Sequence, residues 1–370
     1  MGQDTMVAIV WSENYTGQNQ IWCTTSTDHG ASFSDTVQIS DSPIGAIQPD
    51  VAISDSGVHV VWMDFQLEDP EDTTTYDSWH LFYKRDSDFD NVWDDEDSTT
   101  FVDFGPNVME STYNDYMWEP SILAESRGGM VVVSMQPSVV GTRISIDGGK
   151  SWSDGVLIRG ERKRPVNVDC SRLGNNAGVT WCDQTDTLNA ASHNWEVFYA
   201  SSDSIGKNNW PIFKRLSSDT SYSIQPTIDS DADKKVYVAW ADNLTGVFRI
   251  FFRKGYNMGR VWSQTSIIPA PLGTGAGGAW QPDLVWDRMT INDAHLVWVD
   301  YTEEGRGRLY YSFYDGANWD EPDTASVPPP DGSVFRPDFA IDDDGNTFVV
   351  WTDVTDSTSI VKSDQDPSNP

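Results

Sequence analysis

The segment VYVAWAD, residues 236–242, is a short apolar stretch that ends in tryptophan, one further residue and an aspartate. Stretches with this ending recur at intervals of roughly 50 to 70 residues, a spacing typical of propellers and other repeat proteins. The other copies are VAIVWSE (7–13), VHVVWMD (58–64), VTWCD (179–183), HLVWVD (295–300), TFVVWTD (347–353) and a degraded copy, MVVVSMQ (130–136). One element in seven copies predicts a repeat architecture.

A second strand precedes the tryptophan strand in six of the seven repeats, and it begins with a residue followed by proline. These pre-proline residues are Gln48, Glu119, Arg164, Gln225, Gln281 and Arg336. Proline is tolerated at the start of a strand, and Asp/Gly turns join the two strands as a hairpin. An aromatic-rich third strand and a less regular fourth strand follow. Each repeat therefore predicts a four-stranded antiparallel blade, and the chain predicts an all-β propeller.

We expect one domain over residues 1–370, with an insertion at 65–118 in the second repeat. Seven tryptophan strands favour seven blades, of which the first lacks its innermost strand and the last its outermost. Six blades, one for each pre-proline strand, are the alternative, although two strands would then be left over. Unpaired strand edges promote association, so we also expect self-assembly through the incomplete terminal blades.

The charge excludes several classes of partner. The chain has 57 acidic and 24 basic residues and a net charge of −33. A field of this sign repels phosphate backbones and anionic membrane surfaces, so nucleic acid is not expected as a partner. No apolar run is long enough to cross a bilayer, which predicts no membrane insertion. The N-terminus shows no secretion signal, so such a signal was either removed or never present.

Three cysteines are too few for a disulfide framework. Cys170 and Cys182 flank a predicted hairpin turn and could face each other across two strands, whereas Cys23 has no such neighbour. The sequence leaves two interpretations open, a cross-strand disulfide or buried free thiols. No cysteine or histidine spacing indicates zinc.

Two turns between the third and fourth strands share the pattern S-x-D-x-G-x-S-aromatic. Their residues are Ser26, Asp28, Gly30 and Phe33, and then Ser145, Asp147, Gly149 and Trp152. The pattern resembles the Asp-box, or bacterial neuraminidase repeat, of the sialidase-like propeller superfamily. The aspartate can accept turn amides, the glycine supplies a positive φ, and the aromatic ring fills the space between strands. The resemblance implies a structural role on the face opposite the binding face.

The resemblance also implies what a sialidase would need: three arginines that grip a carboxylate, a Tyr–Glu nucleophile pair and an acid/base residue. Bidentate contacts explain the need for arginine. Only Arg164 and Arg336 stand at pre-proline positions, and no third arginine or Tyr–Glu pair can be assigned. We therefore expect no sialidase activity and assign no catalytic residue.

The best candidates for binding lie where inner strands begin and tryptophan strands end, because both meet at the mouth of the channel of a propeller. The candidates are Glu119, Arg164, Arg336, Asp64, Asp183, Asp242, Asp300 and Asp353. A structural interpretation stays open beside the functional one. Arg–Asp pairs could join neighbouring blades, and each repeated acid could cap the following loop.

The insertion offers a second candidate site. Asp86, Asp88, Asp90, Asp94 and Asp97 have spacings of a calcium loop, so calcium is the one cofactor for which ligands can be named. Asn91 in place of the turn glycine argues against calcium. The aromatic residues Tyr76, Trp79, Tyr113, Tyr116 and Trp118 could stack on a sugar or pack the loop onto its own surface.

Three functions follow as hypotheses. The first is a non-catalytic, extracellular or cell-surface propeller that binds a glycan or protein ligand at the channel mouth. The second is a glycoside hydrolase or lyase of sialidase-like fold that uses paired carboxylates. The third is a structural subunit of an extracellular assembly.

Overall fold

A computed structural model describes most of the chain. The described residues are 5–15, 17–66, 78–93, 100–101, 118–125, 129–136, 139–158, 165–184, 194–207, 209–218, 220–271, 277–287, 293–302, 305–326, 332–342, 344–355 and 358–364.

Within these ranges the chain is built from 27 strands and one short 3-10 helix, Ile205–Lys207. The first strands are β1 (Val7–Glu13), β2 (Gln20–Ser26), β3 (Val37–Gln38), β4 (Ala46–Ser54), β5 (Gly57–Gln66), β6 (Ser78–Asp86), β7 (Thr100–Phe101), β8 (Trp118–Ala124), β9 (Met130–Gln136), β10 (Val139–Ser145), β11 (Val156–Ile158), β12 (Val166–Leu173) and β13 (Asn176–Gln184). The others are β14 (Trp195–Ser201), β15 (Ile212–Arg215), β16 (Ser223–Ser230), β17 (Val236–Asp242), β18 (Arg249–Tyr256), β19 (Val261–Trp262), β20 (Ser266–Ile267), β21 (Gly278–Trp286), β22 (Ala294–Tyr301), β23 (Gly307–Tyr314), β24 (Asp323–Ser326), β25 (Ser333–Ile341), β26 (Thr347–Thr355) and β27 (Thr358–Asp364).

The described strands form seven antiparallel sheets, numbered here along the chain. Sheets 1 and 7 have three strands, β1-β2-β3 and β25-β26-β27. Sheets 2, 3, 4 and 6 have the four-stranded orders β4-β5-β6-β7, β8-β9-β10-β11, β12-β13-β14-β15 and β21-β22-β23-β24, and sheet 5 consists of β16 to β20. The predicted all-β class and the antiparallel units are therefore confirmed. Five sheets have four or more strands, and the total of six or seven blades stays a prediction.

By its internal contacts the chain divides into two compact units. Unit 1 comprises residues 1–177 and 202–211, and unit 2 comprises residues 178–201 and 212–370. The expected single domain stays a prediction. No helix of the described residues is long and apolar enough to cross a membrane.

The tryptophan strands β5, β17 and β22 are inner, buried strands of their sheets. Trp62 in unit 1 and Trp240 and Trp298 in unit 2 are almost fully buried. In unit 2, one apolar cluster joins Ala241 and Ile250 of sheet 5 to Trp298 of sheet 6. A strand covered on both faces needs apolar residues at successive positions, which explains the near-continuous apolar runs in the sequence. Each fully buried large apolar side chain contributes about 1.5–3 kcal/mol.

The inner strands begin with a bulge that holds one residue in the left-handed region. The register of the ladder shifts at this point in β4, β8, β16, β21 and β25. The left-handed residues are Gln48 (φ 52°), Glu119 (49°), Asn167 (53°), Gln225 (52°), Gln281 (54°) and Arg336 (49°). For residues other than glycine this conformation costs roughly 1–2 kcal/mol, so the surrounding contacts must offset it.

Side-chain oxygens of the bulge residues supply those contacts. In unit 1, Gln48 Oε1 accepts the Glu119 N–H at 3.0 Å, and Glu119 Oε2 accepts the Asn167 N–H at 2.5 Å. In unit 2, Gln225 Oε1 accepts the Gln281 N–H at 2.9 Å, and Gln281 Oε1 accepts the Arg336 N–H at 2.8 Å. Four of the six bulge residues thus link their sheets to the next inner strand.

A row of aspartates makes a second set of links between inner strands. Asp50 Oδ2 accepts the Ile122 N–H at 2.8 Å in unit 1. In unit 2, Asp229 Oδ2 accepts the Trp286 N–H at 2.7 Å, and Asp283 Oδ2 accepts the Phe339 N–H at 2.6 Å. Hydrogen bonds to charged acceptors contribute about 1.5–3 kcal/mol each. Many acidic residues are therefore part of the framework.

The sequence aligned Arg164 with Gln48 and the other pre-proline residues, and this alignment was wrong. The left-handed residue of this strand is Asn167, three positions later, and no proline follows it. Asparagine adopts this conformation more readily than most residues because its short polar side chain can bond locally. Arg164 itself lies outside the described residues.

The two S-x-D-x-G-x-S turns have matching hydrogen bonds. Asp28 Oδ1 accepts the Ser32 N–H at 2.8 Å and Oδ2 accepts its hydroxyl at 2.6 Å, while the Ser26 hydroxyl accepts the Gly30 N–H at 2.8 Å. These bonds, led by that of the Ser32 hydroxyl, lower the pKa of Asp28 to about 2. The second turn repeats the pattern through Asp147. Their assignment as Asp-boxes stays a prediction.

The aromatic ring fills the space between strands in only one of the two turns. Trp152 packs edge-on against Tyr83 with the ring centroids 5.0 Å apart. Phe33 is 38% exposed, so the expectation of a buried plug is wrong there. The second turn lies at the end of sheet 3 opposite to the bulge at Glu119. The face on which a ligand binds stays a prediction.

Gly149 has the tightest surroundings of these turn residues. It has φ +82°, and an added Cβ would overlap the Tyr83 hydroxyl, which is held at 2.7 Å by His59 Nδ1. We expect Gly149→Ala to lower the free energy of unfolding by several kcal/mol. Gly17→Ala, at φ +97° with no atom nearby, should cost only about 1 kcal/mol for backbone strain. Urea unfolding measures both, and equal losses would contradict the packing argument.

Glu119 tests the linkage between inner strands. Glu119→Ala leaves the Asn167 N–H without this acceptor and should cost about 1–3 kcal/mol. Glu119→Gln should lie within about 0.5 kcal/mol of the parent protein, because Gln48 and Gln281 make the same bond through an amide oxygen. Equal stability of the alanine and glutamine variants in urea unfolding would show that the bond is dispensable.

Candidate functional site

The aspartates that end the tryptophan strands are buried. Asp64, Asp183, Asp242, Asp300 and Asp353 are each at most 3% exposed. Their predicted role in binding stays a prediction. Four of them take part in hydrogen bonds or other interactions with the surrounding structure, namely Asp64, Asp183, Asp242 and Asp353. Asp300 differs from the other four.

Asp242 shows how a buried carboxylate of this kind is satisfied. Its oxygens accept the Ser221 hydroxyl at 2.6 Å, the Ser223 hydroxyl at 2.7 Å, the Leu244 N–H at 2.8 Å and the Trp240 indole N–H at 3.1 Å. The Leu244 bond caps the following loop, as the structural interpretation predicted. The indole bond recurs in sheet 2, where Trp62 donates to Asp64 at 3.2 Å. The recurrence of a buried aspartate at the end of these strands thus has a structural explanation.

Asp300 lacks such partners. It is 1% exposed, and neither carboxylate oxygen accepts a hydrogen bond from the described residues. The indole N–H of Trp298 also has no acceptor. Burial raises the pKa of Asp300 to about 6, although the Arg249 guanidinium opposes the shift. A carboxyl group with this pKa changes from its protonated to its ionised form at about pH 6.

Arg336 is the sequence-predicted candidate that the structure leaves most accessible. Its backbone N–H is used by Gln281, but its side chain is exposed and makes no hydrogen bond or ion pair with the described residues. The Glu119 carboxylate, in contrast, already accepts the backbone N–H of Asn167. Of the two bulge residues described among the candidates, only Arg336 has a charge that is available to a ligand.

Further residues at the bulge end of unit 2 were missed from the sequence. We call them, with Arg336, the unit 2 rim: Phe248, Arg249, Trp280, Tyr301, Arg308, Phe335 and Arg336. Phe248 and Trp280 form an aromatic pair with centroids 4.0 Å apart, and Tyr301 and Phe335 form a second pair at 6.2 Å. All four rings are half-buried. The rim therefore offers partly exposed rings beside arginine side chains.

The acidic segment of the insertion is only partly described. Asp86, Asp88 and Asp90 lie together, with one carboxylate oxygen of each within 4.8 Å of the others. Backbone N–H groups of Phe89 and Asn91 already bond to Asp86, and burial raises its pKa. Asp94 and Asp97 lie outside the described residues, as do Tyr76, Tyr113 and Tyr116. Calcium binding stays a prediction.

Of the two interpretations left open for Cys170 and Cys182, that of free thiols is confirmed. Cys23, Cys170 and Cys182 are all free, and Cys170 is only partly buried. The Cys170 Sγ lies 3.2 Å from the Ser121 hydroxyl, and burial raises the pKa of Cys23 to about 12. A thiol with a raised pKa is a poor nucleophile because the thiolate is the reactive form.

Asp300 predicts a pH-dependent stability. Its pKa is raised in the folded state, so its ionisation opposes folding as the pH rises from its ordinary value of 3.8 through about 6. Asp300→Asn removes this charge. We expect the variant to gain roughly 1 kcal/mol over the parent at about pH 8, with a smaller gain at about pH 4.5.

Asp242→Asn is the matched control for that measurement. The two serine hydroxyls bond to different oxygens of Asp242, and the amide nitrogen that replaces one of these oxygens cannot accept its hydroxyl, so we expect a loss of stability at both pH values. Urea unfolding curves at the two pH values decide. A gain by Asp300→Asn that is the same at both pH values would contradict the role of its ionisation.

Comparisons with known proteins identify the fold. No family model and no curated protein matches the sequence. Similar solved structures include the polysaccharide lyase Uly1, with TM-score 0.60 and 12% identity over 98% of this chain and 88% of that chain. A protein of unknown function from Dyadobacter fermentans has TM-score 0.52 and 12% identity over 84% and 91%.

A variant of the NanB sialidase from Streptococcus pneumoniae is also similar, with TM-score 0.50 and 13% identity over 98% of this chain and 66% of that chain. Identities this low carry information on the fold and not on the activity. The chain thus has the sialidase-like β-propeller fold that its sequence resembles.

Proposed function

We propose that this chain is an extracellular or cell-surface propeller of seven blades that binds a glycan at the unit 2 rim without cleaving it. The seven sheets of the described residues, of which the first and last have three strands, support the count of seven. The proposal rests above all on the Phe248–Trp280 pair, whose half-buried rings lie 4.0 Å apart at the bulge end of unit 2.

The aromatic pairs suit the chemistry of a sugar ring. A sugar presents C–H groups on its faces and hydroxyls on its edge, so it packs on an aromatic face while its hydroxyls bond to polar neighbours. The Trp280 indole N–H is held by the Gly277 carbonyl at 3.2 Å, which fixes the orientation of the ring. Exposed Tyr222 and Leu244, at the same end of sheet 5, extend the apolar surface.

The arginines of the rim favour a sugar that carries a carboxylate. Arg249, Arg308 and Arg336 stand at the bulge ends of three successive sheets in a chain of net charge −33. Guanidinium groups form strong bidentate bonds with carboxylates. The Debye length at physiological ionic strength is about 8 Å, so contacts at the rim outweigh repulsion from distant acidic residues. A uronic-acid-containing polysaccharide is the ligand class that we propose.

Burial of the repeated acids favours binding without cleavage. Asp64 and Asp242 bond to their own tryptophan side chains and lie below the surface. A hydrolase would need two carboxylates that reach the scissile bond, about 5–10 Å apart. The similarity to a polysaccharide lyase and a sialidase supports a glycan as the ligand, because both names describe proteins that act on glycans.

A lyase or hydrolase is the second candidate function, and Asp300 favours it. Its pKa of about 6 suits a proton donor. Incubation with a panel of uronate polysaccharides, followed by measurement of reducing ends and of the ultraviolet absorbance of unsaturated uronates, tests this candidate. New reducing ends that disappear in Asp300→Asn would favour the enzyme over the binding protein.

The binding proposal predicts a defined loss of affinity. Polygalacturonate and alginate, each with its carboxyl-reduced neutral counterpart, serve as probes in isothermal titration. We expect binding of at least one uronate polymer, weaker binding of its neutral counterpart, and roughly tenfold to thirtyfold weaker binding by Trp280→Ala.

Tyr256→Ala is the matched control, because Tyr256 is an exposed aromatic residue at the far end of β18 from the rim. Its affinity should equal that of the parent. Equal losses in the two variants, or no binding of any probe by the parent protein, would refute the proposal.

A further inference from the structure

Sheets 5 and 6 of unit 2 differ at two equivalent positions, in the first residues of their inner strands or just before them. Ser223 stands opposite Asp242 in the ladder of sheet 5, and Ala279 stands opposite Asp300 in that of sheet 6. Two residues earlier, Ser221 in sheet 5 corresponds to Gly277 in sheet 6. Both serine hydroxyls bond to Asp242. Asp300 thus lacks two hydroxyl donors that its counterpart has.

A narrow cavity lies between the two sheets beside Ala279, whereas Gly277 leaves no space because an added Cβ there would overlap Tyr301. Part of it is open to solvent, and Asp300, Trp298, Ala279 and Arg249 line it with Ile250, Ile268, Pro269, Ala270 and Pro271. Apart from Asp300, Trp298 and Arg249, the walls are apolar. A buried carboxylate and a buried indole N–H therefore face a common space with no partner in the described residues.

We propose that this cavity is a subsite that takes one hydroxyl group of a bound saccharide. The inference rests on the proposed glycan binding and extends it. The ligand hydroxyl donates to an Asp300 oxygen, in the place where serine hydroxyls donate to Asp242. Its own oxygen accepts the Trp298 N–H. The Phe248 and Trp280 rings, next in sequence to Arg249 and Ala279, hold the sugar ring outside the cavity.

The combination of groups selects a hydroxyl over an ion. A metal cation would pair with the carboxylate, but it has no use for the indole N–H and would be repelled by Arg249. An anion would meet the Asp300 carboxylate. A hydroxyl both donates and accepts, so it satisfies both unpartnered groups, each of which is unfavourable when left buried and unpaired.

Entry of the hydroxyl requires movement of one wall. With the side chains as they stand, the space is too narrow for a water molecule. Arg249 is the long, half-buried side chain of the wall, and it is held by one hydrogen bond, at 3.3 Å, to the Phe248 carbonyl. Its rotation toward solvent opens the cavity, and in that position its guanidinium can meet the carboxylate of the ligand.

Ala279→Ser tests the subsite by supplying the missing donor from the protein. The parent, Ala279→Ser and Ser223→Ala are titrated by calorimetry with the tightest-binding uronate oligosaccharide and its monodeoxy derivatives. We expect the parent to lose about tenfold in affinity for one deoxy derivative. Ala279→Ser should bind the intact oligosaccharide about tenfold more weakly and lose nothing further with that derivative.

Ser223→Ala makes the mirror change in sheet 5 and should keep both the affinity and the deoxy effect of the parent. Asp300→Asn, which changes only one atom of the side chain, repeats the test if Ala279→Ser does not fold. An unchanged deoxy effect in the folded variant overturns the subsite while the proposed function stands. If the parent binds no oligosaccharide, the proposed function fails, and the subsite fails with it.

Discussion

The hydrogen bond from one bulge residue to the next inner strand is the interaction on which the structure depends. This bond occurs twice in each unit. A left-handed residue at the start of one inner strand turns its side-chain oxygen toward the backbone N–H of the equivalent residue in the following sheet. The bond repays the strain of the left-handed conformation and fixes the position of each inner strand. Because the same bond joins successive sheets, the residues near this bond occupy equivalent positions from one sheet to the next.

This framework explains why many of the acidic residues recur at equivalent positions. Asp50, Asp229 and Asp283 bind backbone N–H groups of the next inner strand, and Asp242 binds four donors of its own sheet. Repetition marks the groups that hold the blades. The groups available for a ligand lie where the repeat departs from its pattern, at Arg336 in place of glutamine and at Asp300, whose carboxylate has no hydrogen-bond donor in the described residues.

The sequence predicted the framework better than the site. Tryptophan strands and pre-proline residues repeat in the chain itself, so the strands and five of the six bulge positions could be located. Arg164 was taken for a bulge position because Pro165 follows it. The bulge residue of this strand is Asn167, which adopts the left-handed conformation without a following proline. Phe248 and Trp280 meet only after two sheets pack, and no sequence spacing announces that contact. The lone carboxylate of Asp300 was within reach, through comparison of Ala279 with Ser223.

Amide hydrogen exchange with and without a bound uronate oligosaccharide tests the central claim most directly, because it reports every segment of the chain at once. The account predicts slower exchange in residues 243–249 and 277–281, which carry the rim, with no change in the S-x-D-x-G-x-S turns at 26–33 and 145–152. Protection confined to those turns, or spread evenly over the inner strands, would contradict a ligand site at the unit 2 rim.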